Sequence, residues 1–151
     1  MNTFANLISA LARSLELNLS EAAESPVEIV VDDLTITVSR EVVADIEDIV
    51  LFSVIGTVEP RGELEAYRLL LEANVLWSAT AFATLGVNSA TREVVICFRC
   101  KASETDEASF PNLVTSFAEI AGIWRHILSE QNAGRPVDTG ELTSDFAIIR
   151  A

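Results

Sequence analysis

LLLEANVLWSATAFATLGVN, residues 69–88, is the stretch on which the reading of this chain turns. It opens with apolar residues at helical spacing and closes with strand-like alternation. Glu72 is its one ionised side chain. The surrounding chain is strongly acidic, with 23 Asp and Glu against 10 Lys and Arg, so this greasy middle needs a physical reason.

The helical part starts upstream, after Pro60, Arg61 and Gly62 break the preceding pattern. Glu63 and Glu65 then suit the positive end of a helix dipole. On a wheel of residues 63–77, Leu64, Tyr67, Leu71 and Val75 form one stripe. Leu69, Ala73, Leu76 and Trp77 form a second, with Leu70 between. A helix lying on one sheet needs a single apolar stripe. Two stripes call for a second thing to bury against, and the reading favours another copy of the chain over the chain's own helix or tail. Leu69, Ala73, Leu76, Trp77 and Phe82 are the residues assigned to that contact.

Downstream, Thr80–Gly86 (TAFATLG) reads as a strand, Val87–Arg92 as a turn, and Glu93–Cys100 (EVVICFRC) as the antiparallel partner. Upstream of the helix, VEIVV (27–31) and LTITVS (34–39) are β-branched and alternate, with Asp32 and Asp33 at a tight hairpin turn. REVVADIED is ambiguous, and Val42 and Val43 fit a longer second strand. IVLFSVIGTV (49–58) is a third strand, apolar on both faces. Phe4, Leu7, Ile8, Leu11 and Leu15 mark a first amphipathic helix capped by Thr3 or Asn2. A last helix starts near Phe110–Pro111 and buries Phe110, Leu113, Val114, Phe117, Ile120, Ala121, Trp124 and Leu128; Gly134 and Pro136 stop it. The order α-β-β-β-α-β-β-α, with hairpin-joined strands, predicts an α+β fold on a twisted antiparallel sheet with three helices. Residues 1–131 form one domain in this reading, and 132–151 an extended tail.

The charge excludes several function classes. A formal net charge of −13, with Lys101 the single lysine, disfavours phosphate backbones and anionic lipid. No run approaches the ~20 apolar residues of a membrane span, and the first residues do not read as a signal peptide. Two cysteines give no disulfide framework and suit a reducing cytoplasm. Cys97-Phe98-Arg99-Cys100 has redox or metal spacing, but on a strand positions three apart point to opposite faces. His126, the one histidine, sits in an amphipathic helix, and no nucleophile elbow or phosphate loop is present. The acids Asp45, Glu47, Asp48 and Glu104, Asp106, Glu107 read as solvated loops. No catalytic residue, metal site or cofactor is expected.

The chain resembles the type III secretion chaperones of the CesT/Tir-chaperone class. The resemblance rests on Leu70-Leu71-Glu72-Ala73-Asn74-Val75-Leu76, on Ala83-Thr84-Leu85-Gly86-Val87-Asn88, on Glu93 through Arg99, and on Phe117 with Trp124-Arg125. It is specific from Leu69 to Arg99 and loose elsewhere. Where that class often has glycines at the helix–strand junction, this chain has Trp77 through Phe82. The resemblance implies a homodimer in the bacterial cytoplasm that binds, without ATP, the N-terminal segment of a secreted effector in extended form. It implies a dimer interface on the second helix and the strand after it. It also implies effector-binding grooves on the first helix and first three strands, for which Phe4, Ile8, Leu11, Ile29, Ile36 and Phe52 are the candidates. Two alternatives are a regulatory chaperone of the same fold that sequesters a transcriptional regulator or secretion component, and a small carboxylate-based enzyme.

Overall fold

Local chemistry accounts for each element of the computed structural model, which describes residues 3–18 and 25–137. Helix α1 (Phe4–Ser14) starts where Thr3 turns extended and its hydroxyl accepts from the Asn6 N–H. The orphan N–H of Phe4 donates to the Glu47 carboxylate, a second cap supplied from β3. Phe4, Leu7, Ile8, Ala10 and Leu11 are buried.

Three strands follow: β1 (Val27–Val31), β2 (Leu34–Val43) and β3 (Ile46–Thr57). Asp32 and Asp33 both have positive φ (47° and 64°), as the two central residues of a primed hairpin turn require. Ala44 and Asp45 repeat the device at 50° and 64°. That second turn resolves REVVADIED: β2 runs on to Val43, which pairs with Ile46, and Glu41 lies opposite Asp48. The next elements are α2 (Glu63–Ala73), a short 3₁₀ turn (Val75–Trp77), β4 (Thr84–Val87) and β5 (Glu93–Lys101). Helix α3 (Phe110–Asn132) comes last. Among the described residues, three α-helices and a five-stranded antiparallel sheet, in the order β1-β2-β3-β5-β4, give the α+β class and element order that the sequence predicts. Both β1 and β4 are edge strands.

Contacts divide the chain into two compact units, Met1–Phe52 with Phe98–Ala118, and Ser53–Cys97 with Glu119–Ala151. In the first, the buried residues include Leu7, Leu11, Ile36, Val38, Ile49, Leu51, Phe110 and Val114. In the second they include Val58, Leu70, Ala73, Leu85, Val94, Ile96, Ala121 and Trp124. Asn132 closes α3 in the second unit: its carboxamide donates to the Thr57 carbonyl (2.8 Å) and accepts from the Glu59 N–H (3.2 Å). The tail residues 138–151 lie outside the described residues.

Candidate interaction surface

Helix α2 decides the character of the second unit. Its start is held by Glu63, whose carboxylate accepts from the Tyr67 hydroxyl (2.6 Å) and from Arg92 Nη2 (2.8 Å). That hydrogen bond to Glu63 pushes the Tyr67 pKa up. Arg92 also donates from Nε to the Val58 carbonyl (3.2 Å), tying the helix start to the turn before β5.

The two stripes do not separate as the wheel draws them: Leu69 and Ala73 are buried, whereas Leu76 and Trp77 of the same stripe are exposed. Ala66, Leu69, Leu70 and Ala73 are buried, whereas Leu64 is 56 %, Leu71 69 % and Val75 60 % exposed. The small residues Ala66 and Ala73 are on the inward face, where a helix can approach its support closely. Of the five residues expected to contact a second copy, Leu69 and Ala73 are therefore buried within the protomer. Leu76 (82 %), Trp77 (45 %) and Phe82 (55 %) are exposed. The wheel groups Leu64, Leu71 and Val75 in the other stripe, yet Leu64 and Leu71 on α2 and Val75 just beyond it face out.

The junction is not a continuation of helix or strand. The sequence pattern predicts helix through Leu76 or Trp77 and strand from Thr80. Instead α2 ends at Ala73 and β4 begins at Thr84. Leu76, Trp77, Ala81 and Phe82 all have left-handed backbone (φ 53°, 53°, 48° and 71°), which neither element tolerates. Successive turn bonds fill the gap, from Trp77 N–H to Asn74 O, Ser78 to Val75, Thr80 to Trp77 and Ala83 to Thr80. A non-glycine left-handed residue costs on the order of 1 kcal/mol, so four of them need anchors. Trp124 provides one: fully buried on α3, it donates its indole N–H to the Ala79 carbonyl at 2.9 Å. Asn74 provides the other, bonding both the N–H (2.9 Å) and the carbonyl (2.8 Å) of Leu85. Held this way, the junction presents Trp77 and Phe82 together, ring centroids 6.4 Å apart and tilted by 35°.

One group at the junction is unsatisfied. The Thr80 hydroxyl is fully buried and finds no hydrogen-bond partner among the described residues. A buried hydroxyl without a partner costs roughly 1–3 kcal/mol on mutational scales. Thr80→Val should therefore leave stability unchanged or raise it by about 1 kcal/mol, read as the midpoint of denaturant unfolding. A drop of similar size would show that the hydroxyl is bonded.

The first unit carries a second set of exposed apolar residues: Val30 (70 %), Val42, Val43 and Ile46. Beside them Arg99 donates to Asp48 (2.7 Å) and meets Glu41 (3.0 Å). Of the six residues proposed for effector contact, Phe4, Ile8, Leu11, Ile29 and Ile36 are at most 4 % exposed, and Phe52 is half-buried.

Other sequence features find ordinary places. Both cysteines are free, and burial pushes each thiol pKa up, against the thiolate that redox chemistry needs. His126 is exposed on α3. Among the described residues no cluster of His, Cys, Asp and Glu could hold a metal ion, and no helix is long and apolar enough to cross a membrane.

The profile of the Tir chaperone protein (CesT) family matches residues 6–125. Among solved structures, a chain of the ExsC–ExsE complex superimposes with a TM-score of 0.66 at 18 % identity, covering 82 % of this chain and 92 % of that one. A chain of the heterodimeric ExoU–SpcU complex from the type III secretion system of Pseudomonas aeruginosa gives 0.62 at 14 %, covering 82 % and 94 %. A chain of the HopA1–SchA chaperone–effector complex gives 0.62 at 15 %, covering 82 % and 98 %. At these identities the likeness is one of fold. No curated protein sequence matches the chain.

Proposed function

Because the chain belongs to the Tir chaperone (CesT) family, we propose that it is a type III secretion chaperone working as a homodimer that holds the N-terminal segment of a secreted effector in extended form. The observation that carries the dimer is the run of exposed apolar residues on α2 and the junction. Leu64, Leu71, Val75, Leu76, Trp77 and Phe82 all face out of one strongly acidic protomer. Monomers rarely leave such a patch open, and a two-fold axis lets one patch cover its own copy. Leu69 and Ala73 support this face from beneath, and Leu71, Val75, Leu76, Trp77 and Phe82 make the contact.

The client side follows from the first unit. An effector segment that arrives unfolded must regain its ordering entropy from apolar anchors and backbone hydrogen bonds. The edge strand β1, exposed Val30, the hairpin residues Val42, Val43 and Ile46, and half-buried Phe52 offer both. Phe4, Ile8, Leu11, Ile29 and Ile36 shape this surface as core, and reach a client only where binding parts α1 from the sheet. The acidic surface favours clients whose binding segment is basic or apolar. The work is binding, and neither ATP nor a cofactor has a part in it.

Leu76→Glu tests the dimer. At 82 % exposure the change should cost the fold within about 0.5 kcal/mol. It should weaken self-association by about 30-fold, the factor for a ~2 kcal/mol hot spot. Sedimentation should then show a folded species of half the wild-type mass. A folded variant with wild-type mass and affinity would contradict the interface.

A further inference from the structure

Among the described residues, edge strand β4 has a side that no other strand of the sheet pairs. In an antiparallel ladder alternate residues turn both backbone groups to their neighbour, and those between turn them away. Asn88 N–H donates to the Glu93 carbonyl at 2.8 Å, so Asn88 faces β5. Counting back along the register Leu85↔Ile96 and Gly86↔Val95, Gly86 and Thr84 also face β5, and Leu85 and Val87 face outward.

The outward groups of Leu85 do not meet a strand. They meet the side chain of Asn74, which donates to the carbonyl and accepts from the N–H. A carboxamide has the same donor and acceptor as a peptide unit, set side by side. Asn74 thus makes at Leu85 the pair of bonds that a sixth strand would make. Next to it Tyr67, Leu70, Leu71, Leu85 and Val87 line an apolar groove of about 390 Å³. An unplugged edge beside such a groove is a ready template for strand addition.

We propose that Asn74 is an edge-closing residue: its carboxamide stands in for a neighbouring strand at Leu85 and so keeps other polypeptides from adding to the sheet at β4. The chain then offers strand addition on one side of its sheet only, and an extended segment cannot bridge protomers through β4. The groove shares Leu71 with the proposed self-contact, so this role rests on that reading of the apolar face, while its test needs no client.

Asn74→Ala should free both backbone groups of Leu85. By amide hydrogen exchange Leu85 should exchange at least about tenfold faster, as expected for losing a bond of ~1.4 kcal/mol. By light scattering the purified variant should form species larger than the wild-type assembly, growing with concentration. Adding Val87→Pro, which deletes the second outward N–H of β4 without touching the β5 ladder, should lower the mass toward the wild-type value. Fast Leu85 exchange with wild-type mass would overturn the proposal, leaving Asn74 a purely structural clamp. Association that survives Val87→Pro would overturn it too, because the new contact would lie elsewhere. If Asn74→Ala does not fold, the wild-type protein still decides: Leu85, on an edge strand, must be protected from exchange, and a Leu85 amide as open as those of exposed loops would end the argument.

Discussion

Trp124→Ala is expected to cost the protein a large part of its folding stability. Trp124 is fully buried, and its indole N–H donates to the Ala79 carbonyl at 2.9 Å. Truncating a buried aromatic to Ala costs about 3–5 kcal/mol through lost burial and the cavity left behind. The orphaned Ala79 carbonyl adds roughly 1–3 kcal/mol if no water reaches it. Against a total stability of about 5–15 kcal/mol, the sum removes most of the margin. Trp124→Phe separates the two contributions, since it keeps most of the burial and loses the bond. It should cost about 1–3 kcal/mol and lower the denaturant midpoint without changing its slope. Near-wild-type stability of the Ala variant would mean that the junction does not depend on this anchor. Such a result would also remove the stated reason why Leu76, Trp77, Ala81 and Phe82 keep their left-handed backbone.

Gly56→Ala should be almost as damaging, for a different reason. Gly56 lies in β3 at φ 149°, a region that side chains rarely enter, at a cost of about 1–3 kcal/mol. A Cβ built there would also stand 2.9 Å from Cδ2 of Leu128 on α3. Leu128 is 2 % exposed, so it has little room to turn aside. Overpacking of this kind costs about another 1–3 kcal/mol. The expected loss is therefore roughly 2–6 kcal/mol, measurable by thermal or urea unfolding. The double variant Gly56→Ala/Leu128→Ala tells the two sources apart. If the clash dominates, the second change should relieve part of the first, so the losses fall short of additive. Additive losses would place the whole cost in the backbone.

The architecture was legible where one physical signal dominates. β-Branched alternation marked β1, β2 and β5, and the apolar spacing of Phe4, Leu7, Ile8 and Leu11 marked α1. Asp32 and Asp33 marked a turn because short polar side chains tolerate left-handed backbone. Ala44 and Asp45 gave the same turn but a weaker signal, since alanine is not a usual turn residue, and REVVADIED stayed open for that reason.

The junction was less legible, because its conformation comes from tertiary bonds. Nothing local in VLWSATAF announces four left-handed residues. They are held by an indole 45 positions away in sequence and by a carboxamide that reaches across to β4. The orientation of α2 was ambiguous for another reason. Its two stripes carry similar hydrophobicity, so amount of apolar surface cannot say which is inside. Side-chain size could have done so: Ala66 and Ala73 sit on one face, and small residues mark close approach, leaving Leu64, Leu71 and Val75 for the outside. The same limit applies to α1 and the first strands. Apolar periodicity finds Phe4, Ile8, Leu11, Ile29 and Ile36, yet it marks core and binding groove with one signal. All five are buried in the protomer.

A second copy is proposed to dock on the apolar face running from Leu64 to Phe82. The mass of the purified chain in solution tests it most directly. Static light scattering should give a stable species of twice 16.4 kDa across dilution. A single 16.4 kDa species, well folded and with Trp77 open to solvent quenchers, would contradict the account.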